Sequence, residues 1–123
     1  DAQPILADTG RRMADAYFTR VPAGYLKFLR AMPRGVLTRS YRRAARRLLR
    51  QMTADAKVEV TGRPVTVRIT DSPMVKLEPV GCAMYTAALE QLAGNFAEVQ
   101  VEASHTQCAS TGGNVCEWQV GAL

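Results

Sequence analysis

The spacing of apolar residues changes once along this chain, and the change divides it into two halves of different secondary structure. Up to Met52, apolar side chains return every three or four residues, the period of an amphipathic helix. From Val58 onward they alternate with polar residues, the period of a strand whose two faces meet different surroundings. The helical period is clearest in Val36-Leu37, Tyr41, Ala44-Ala45, Leu48-Leu49 and Met52. Arg39, Arg42, Arg43, Arg46, Arg47 and Arg50 fall between them, so this helix is predicted to carry an apolar stripe and a basic opposite face. Two shorter helices precede it. Asp8-Thr9 can open the first, with Met13, Tyr17 and Phe18 on one side. Pro22 interrupts and suits a first turn, and Tyr25, Leu26, Phe28 and Leu29 follow in a second helix that Pro33 and Gly35 end.

In the second half, Val58 and Val60, then Val65, Val67 and Ile69, flank Thr61-Gly62-Arg63-Pro64, which predicts a β-hairpin. Asp71-Ser72-Pro73 breaks its second strand. A helix is predicted from Val80 to Ala93, with Met84, Ala87, Ala88 and Leu92 inward and Gly94-Asn95 as its cap. Val99 and Val101 predict a third strand, Ser110 to Asn114 a turn, and Val115, Glu117-Trp118 and Val120 a fourth strand. The expectation is an α+β fold in one domain over residues 1–123. Residues 1–56 are helical and basic, and residues 57–123 form a ββ-α-ββ antiparallel sheet unit with helices on one face.

Apolar residues at 47% and charged residues at 22% exclude global disorder, and no apolar run approaches the roughly 20 residues that cross a bilayer. The charge is bipolar. Residues 1–50 hold twelve Lys/Arg against three Asp/Glu, and residues 51–123 hold four against eight, within a formal net charge of +5. An Arg-rich half suits nucleic acid, an anionic membrane surface or an acidic small molecule, and equally a plain solvated helix face. The aromatics are not interleaved with the basic residues in a base-stacking pattern, which speaks against nucleic acid.

Cys82, His105, Cys108 and Cys116 are the chemically loaded residues. Three thiolates and one imidazole suit tetrahedral zinc, and a site with no open position would be structural. The alternatives are cysteines buried for packing, a Cys108–Cys116 disulfide across the turn, and His105 as an axial ligand to a macrocycle metal. No Gly-rich dinucleotide or phosphate loop is present, no Ser-His-Asp set, and no convincing carboxylate pair, which weighs towards a binding module.

The pattern Cys82-x25-Cys108-x7-Cys116, with Gly112 in the last interval and Trp118 just beyond, resembles the 4-vinyl reductase domain family. In zinc-containing members the matching cysteines are ligands and a carboxylate three residues before the second is the fourth; His105 stands there in this chain. Thr9-Gly10-Arg11-Arg12-Met13-Ala14-Asp15, Arg20-Val21-Pro22, Leu29-Arg30-Ala31-Met32-Pro33 and Asp71-Ser72-Pro73-Met74 resemble the bacteriochlorophyll 4-vinyl reductase branch, so the likeness spans residues 9–120.

The resemblance implies the fold of the ligand-binding domains of nitric-oxide sensors and Golgi-transport (TRAPP) subunits, dimerising through the N-terminal helices. It implies a chlorophyll-precursor ligand, divinyl protochlorophyllide or a related Mg-tetrapyrrole, and the role of a pigment carrier or assistant to other bacteriochlorophyll biosynthesis enzymes. The alternatives are an 8-vinyl reductase fed by an external electron donor, and a sensory module for another apolar ligand. The expected slot lining is Tyr17, Phe18, Tyr25, Phe28, Leu29 and Met32, with Met84, Tyr85 and Leu89 opposite. Arg30, Arg34 or Arg39 would pair with a propionate. Reduced cysteines serving a metal fit the cytoplasm, and the basic face suits contact with the photosynthetic membrane.

Overall fold

In the computed structural model of the chain, residues 3–52, 57–62, 65–70, 80–98, 100–107 and 115–121 are described. Three helices come first: α1 (Gln3–Phe18), α2 (Ala23–Ala31) and α3 (Arg34–Met52). The hairpin β1 (Lys57–Thr61) and β2 (Val65–Thr70) follows, then α4 (Val80–Ala97), β3 (Ala103–Gln107) and β4 (Val115–Val120). The fold is α+β with a four-stranded sheet in the order β1-β2-β4-β3, antiparallel at every pairing.

Period-two alternation sets the two faces of the sheet. Val58, Val60, Val65, Val67, Ile69, Cys116, Trp118 and Val120 are all buried on the helix side. The register places Val67 opposite Trp118 and Ile69 opposite Cys116, so the central strands share one apolar strip. The outer face is polar. There Arg68 lies opposite Glu117, and their side chains pair at 2.6 Å. Gly62 turns the hairpin at φ 83°, a backbone region that glycine enters without the Cβ clash of other residues.

α3 and α4 cover the apolar face, and α1 and α2 lie outside them as a third layer. Between α1 and the sheet side of the molecule, α4 is apolar nearly all round, with Met84, Tyr85, Ala87, Ala88, Leu89, Leu92, Ala93 and Phe96 buried. The Tyr41 hydroxyl of α3 donates to the Leu89 carbonyl of α4 at 3.0 Å inside the core. Trp118 meets Tyr85 edge-to-face at 5.8 Å and donates its indole N–H to Thr86 at 2.8 Å. α1 reaches α4 through small residues. Ala14 is fully buried, and at Gly10 an added Cβ would collide with the Met84 carbonyl oxygen.

Three expectations are corrected. α1 opens at Gln3 rather than at Asp8, because Pro4 is tolerated in a first turn whose N–H groups have no helical acceptor. α4 does not stop at Gly94-Asn95 but runs to Ala97. Asn95 stays helical because its side-chain amide donates to Asp15 of α1 at 2.9 Å, beside the Gln91 amide at 3.0 Å. Glu98 then takes the left-handed turn at φ 59°, its N–H bonded to the Gly94 carbonyl. The third strand is Ala103–Gln107; Val101 is buried just ahead of it, and Val99 lies outside the described residues, as does the turn at 110–114. As an edge strand β3 needs few apolar residues, so alternation of valines is a poor guide to it.

Candidate functional site: an arginine-rimmed cleft between the helices

The link between α1 and α2 shapes a cleft. α1 ends in tightening turns, Arg20 N–H to the Tyr17 carbonyl at 3.2 Å and Val21 N–H to the Phe18 carbonyl at 3.0 Å. Pro22 then takes an extended conformation and accepts the Leu26 N–H at 3.1 Å, so α2 leaves in a new direction. Between this corner, α3 and the end of α4 lies an open cleft of about 570 Å³. Phe96 forms part of its floor, itself held edge-on by Phe18 at 5.3 Å and Tyr41 at 6.1 Å. Tyr17 and Tyr25 form apolar walls, and Tyr25 shares a hydroxyl hydrogen bond with Ser40 at 3.3 Å. Arg20, Arg43 and Arg47 stand along the rim, and among the described residues no carboxylate lines the cleft.

A second cleft, about 580 Å³, lies between α1, α4 and the approach to β3. It is polar and carries Glu90, Glu98 and Glu102 together with Arg11. Glu90 accepts the Ala103 N–H at 2.9 Å and Glu98 pairs with Arg30 at 2.7 Å, so two of the three carboxylates already hold the fold together. The first cleft, with aromatic walls and three guanidinium groups, is the better ligand site.

The residues expected to line one slot are distributed over three places. Tyr17 and Tyr25 line the cleft, with Phe18 behind Phe96. Leu29, Met84, Tyr85 and Leu89 are packed into the core, at 8% exposure or less. Phe28 on α2 and Met32 at its C-cap are exposed and do not line this cleft. Of the expected propionate partners, Arg30 is engaged elsewhere. It donates to the Asn95 carbonyl at 3.1 Å and pairs with Glu98, closing the C-terminal end of α4. Arg39 is exposed, and the side chain of Arg34 lies outside the described residues. Arg20, Arg43 and Arg47 were not singled out as anchors. The signal for the last two is their four-residue spacing beside Ala44, on the flank of the apolar stripe.

Of the expected zinc ligands, His105 and Cys116 are described. His105 lies opposite Trp118 on β3, its exposed ring stacked on the indole at 4.7 Å and 10° between planes. Cys116 is buried two residues before Trp118 on the same face. Cys82 falls in the first turn of α4; its side chain and all of Cys108 lie outside the described residues. Among the described residues no group of three metal-ligating side chains forms. None of the described helices is long and apolar enough to cross a membrane.

Among the described residues Tyr41, Glu117 and its partner Arg68, raised by that same hydrogen bond, depart from their ordinary behaviour. Burial pushes the Tyr41 hydroxyl well up, with the charge of Glu90 adding to it. On the outer face the hydrogen bond from Arg68, with a second from Thr106, holds the Glu117 carboxyl below the usual carboxylate range.

No family model matches the sequence, and no curated protein matches it. Among solved structures the chain is similar to a trafficking protein particle complex subunit 3 from Naegleria fowleri, covalently bound to palmitic acid. The identity is 10% and the TM-score 0.59, over 97% of this chain and 76% of that one. A likeness at that identity is one of fold, and it places this chain in the α+β architecture of TRAPP-type subunits.

Proposed function

We propose that this chain binds a chlorophyll-precursor tetrapyrrole, divinyl protochlorophyllide or a close relative, as a carrier in bacteriochlorophyll biosynthesis. The observation that carries the reading is the cleft: aromatic walls from Tyr17 and Tyr25, a floor at Phe96, and Arg20, Arg43 and Arg47 on the rim, with no carboxylate among the described residues that line it. A tetrapyrrole is a flat apolar ring with propionate carboxylates, and it needs an apolar surface with a few cationic anchors. The similar trafficking subunit carries palmitic acid, which supports an apolar ligand for this fold. The sequence holds no nicotinamide or flavin fingerprint, so reduction of a vinyl group would draw its electrons from a partner protein.

The test is an absorbance titration of the protein with divinyl protochlorophyllide, with and without NADPH. A shifted pigment band with the vinyl group intact is expected, and Arg43→Ala with Arg47→Ala should weaken binding about tenfold or more. Conversion to the monovinyl product by the protein alone would make it an enzyme. An unshifted band would overturn the reading.

The second part of the reading is a structural zinc held by Cys82, His105, Cys108 and Cys116. Two observations support the fit. His105 and Cys116 share the helix-facing side of the sheet, and the contacts of Tyr85 and Thr86 with Trp118 set the first turns of α4, where Cys82 falls, against that end of it. The stack on Trp118 fixes the plane of the imidazole. The zinc would supply cross-linking between α4, β3 and β4, with no open position for chemistry. Elemental analysis should find one zinc per chain, and Cys108→Ser should release it and lower the melting temperature. A metal-free wild type with an unchanged melting curve in the variant would refute it.

A further inference from the structure

We propose that α2 and the adjoining edge of α3 form a docking surface for an anionic lipid membrane. α2 buries Leu26 and Leu29, yet large apolar side chains beside them stay exposed: Tyr25 at 46% and Phe28 at 56%, with Met32 at the C-cap at 39%. Tyr25 and Phe28, three residues apart, are neighbours on the helix surface, and Met32 is the extended C-cap that follows its last turn. Three large exposed apolar side chains are not explained by the core, which is complete without them.

The charge around this patch says what covers it. From Ala16 to Ala54 the chain contains no Asp or Glu, so every charged side chain of α2 and α3 is Lys or Arg. Lys27 is exposed on α2 itself. On α3, Arg39, Arg43 and Arg47 are exposed at four-residue intervals, and the Tyr25–Ser40 hydrogen bond ties this edge of α3 to the patch. Among the described residues none of these three forms an ion pair, whereas Arg42 and Arg46 donate to the Gly62 and Val60 carbonyls on the hairpin side. An aromatic and thioether patch bordered by unpaired cations is the pattern of an element lying in the headgroup region of an anionic bilayer. A second copy of the chain fits less well, because a two-fold pairing on this face would set the arginine row against itself.

The surface shares Tyr25, Arg43 and Arg47 with the pigment cleft, so its test is made at Lys27, Phe28, Met32 and Arg39, which do not line that cleft. The full chain would be floated with vesicles of phosphatidylcholine alone and with vesicles containing roughly one-third phosphatidylglycerol. Flotation is expected only with the anionic vesicles, and it should weaken as salt is raised. Phe28→Ser with Met32→Ser should lower partitioning about tenfold or more, and Lys27→Glu with Arg39→Glu should remove it at moderate salt. All four sites are exposed, so both variants should keep the wild-type circular dichroism and melting curve. No flotation, or flotation unchanged in both variants, would overturn the proposal. So would an apolar variant that splits a dimer while still floating like the wild type, since the patch would then serve a second copy.

Discussion

At Gly10 the backbone of α1 runs so close to α4 that the seam accepts a hydrogen and no more. A methyl group there would meet the Met84 carbonyl oxygen, with the Ala88 nitrogen at 3.2 Å behind it, and both are backbone atoms that cannot swing aside. Gly10→Ala should therefore cost about 1–3 kcal/mol by forcing the helices apart, read as a lower urea midpoint. An unchanged midpoint would mean that the seam yields at no cost. Tyr41→Phe should cost about 1 kcal/mol by removing the bond to Leu89. Tyr41 also has a pH signature. Its folded-state pKa lies above the ordinary value, so its contribution is complete below pH of about 10 and is lost as pH rises further. The phenylalanine variant should lose less stability than wild type at alkaline pH. Glu117 has the opposite sign: its lowered folded-state pKa contributes stability above pH of about 4.3 that disappears as pH falls through the lower value. Glu117→Gln should flatten that acid limb in melting curves recorded from neutral pH downward.

Among the elements, Arg30 shows how a single side chain closes a layer. It reaches from α2 to the last carbonyls of α4 and to Glu98, placing a cation where the helix dipole is negative. Arg30→Gln should destabilise by about 1 kcal/mol and loosen α2 from α4, seen as faster amide exchange in α2 with the sheet unaffected. The elements legible in the sequence are those with one dry face. α3, the first hairpin and β4 each show an unbroken period because each lies between solvent and core. α4 was legible only in part: packed on both sides, it has no polar face to mark its end, and Asn95 reads as a cap until Asp15 supplies its partner. β3 was misplaced because an edge strand with Ser104 and Thr106 outward carries almost no apolar signal.

For the molecule as a whole, the charge asymmetry was readable and its arrangement was not. Counting residues shows a basic first half; only the packing separates arginines that serve the hairpin, such as Arg42 and Arg46, from those that rim the cleft, such as Arg43 and Arg47. The residues of the expected slot divide the same way, because helical spacing shows that Leu29 and Phe28 face differently and cannot say which face is inward. The strand order has a further consequence. β4, the last of the four described strands, sits between β2 and β3, so the hairpin made first has no partner in the sheet until β4 arrives. On a ribosome the first hairpin would wait at the exit with its apolar face covered only by helices, and the sheet would close in one late step. Shortening the chain before Val115 should thus leave no partly native remnant, only a collapsed intermediate prone to capture by chaperones.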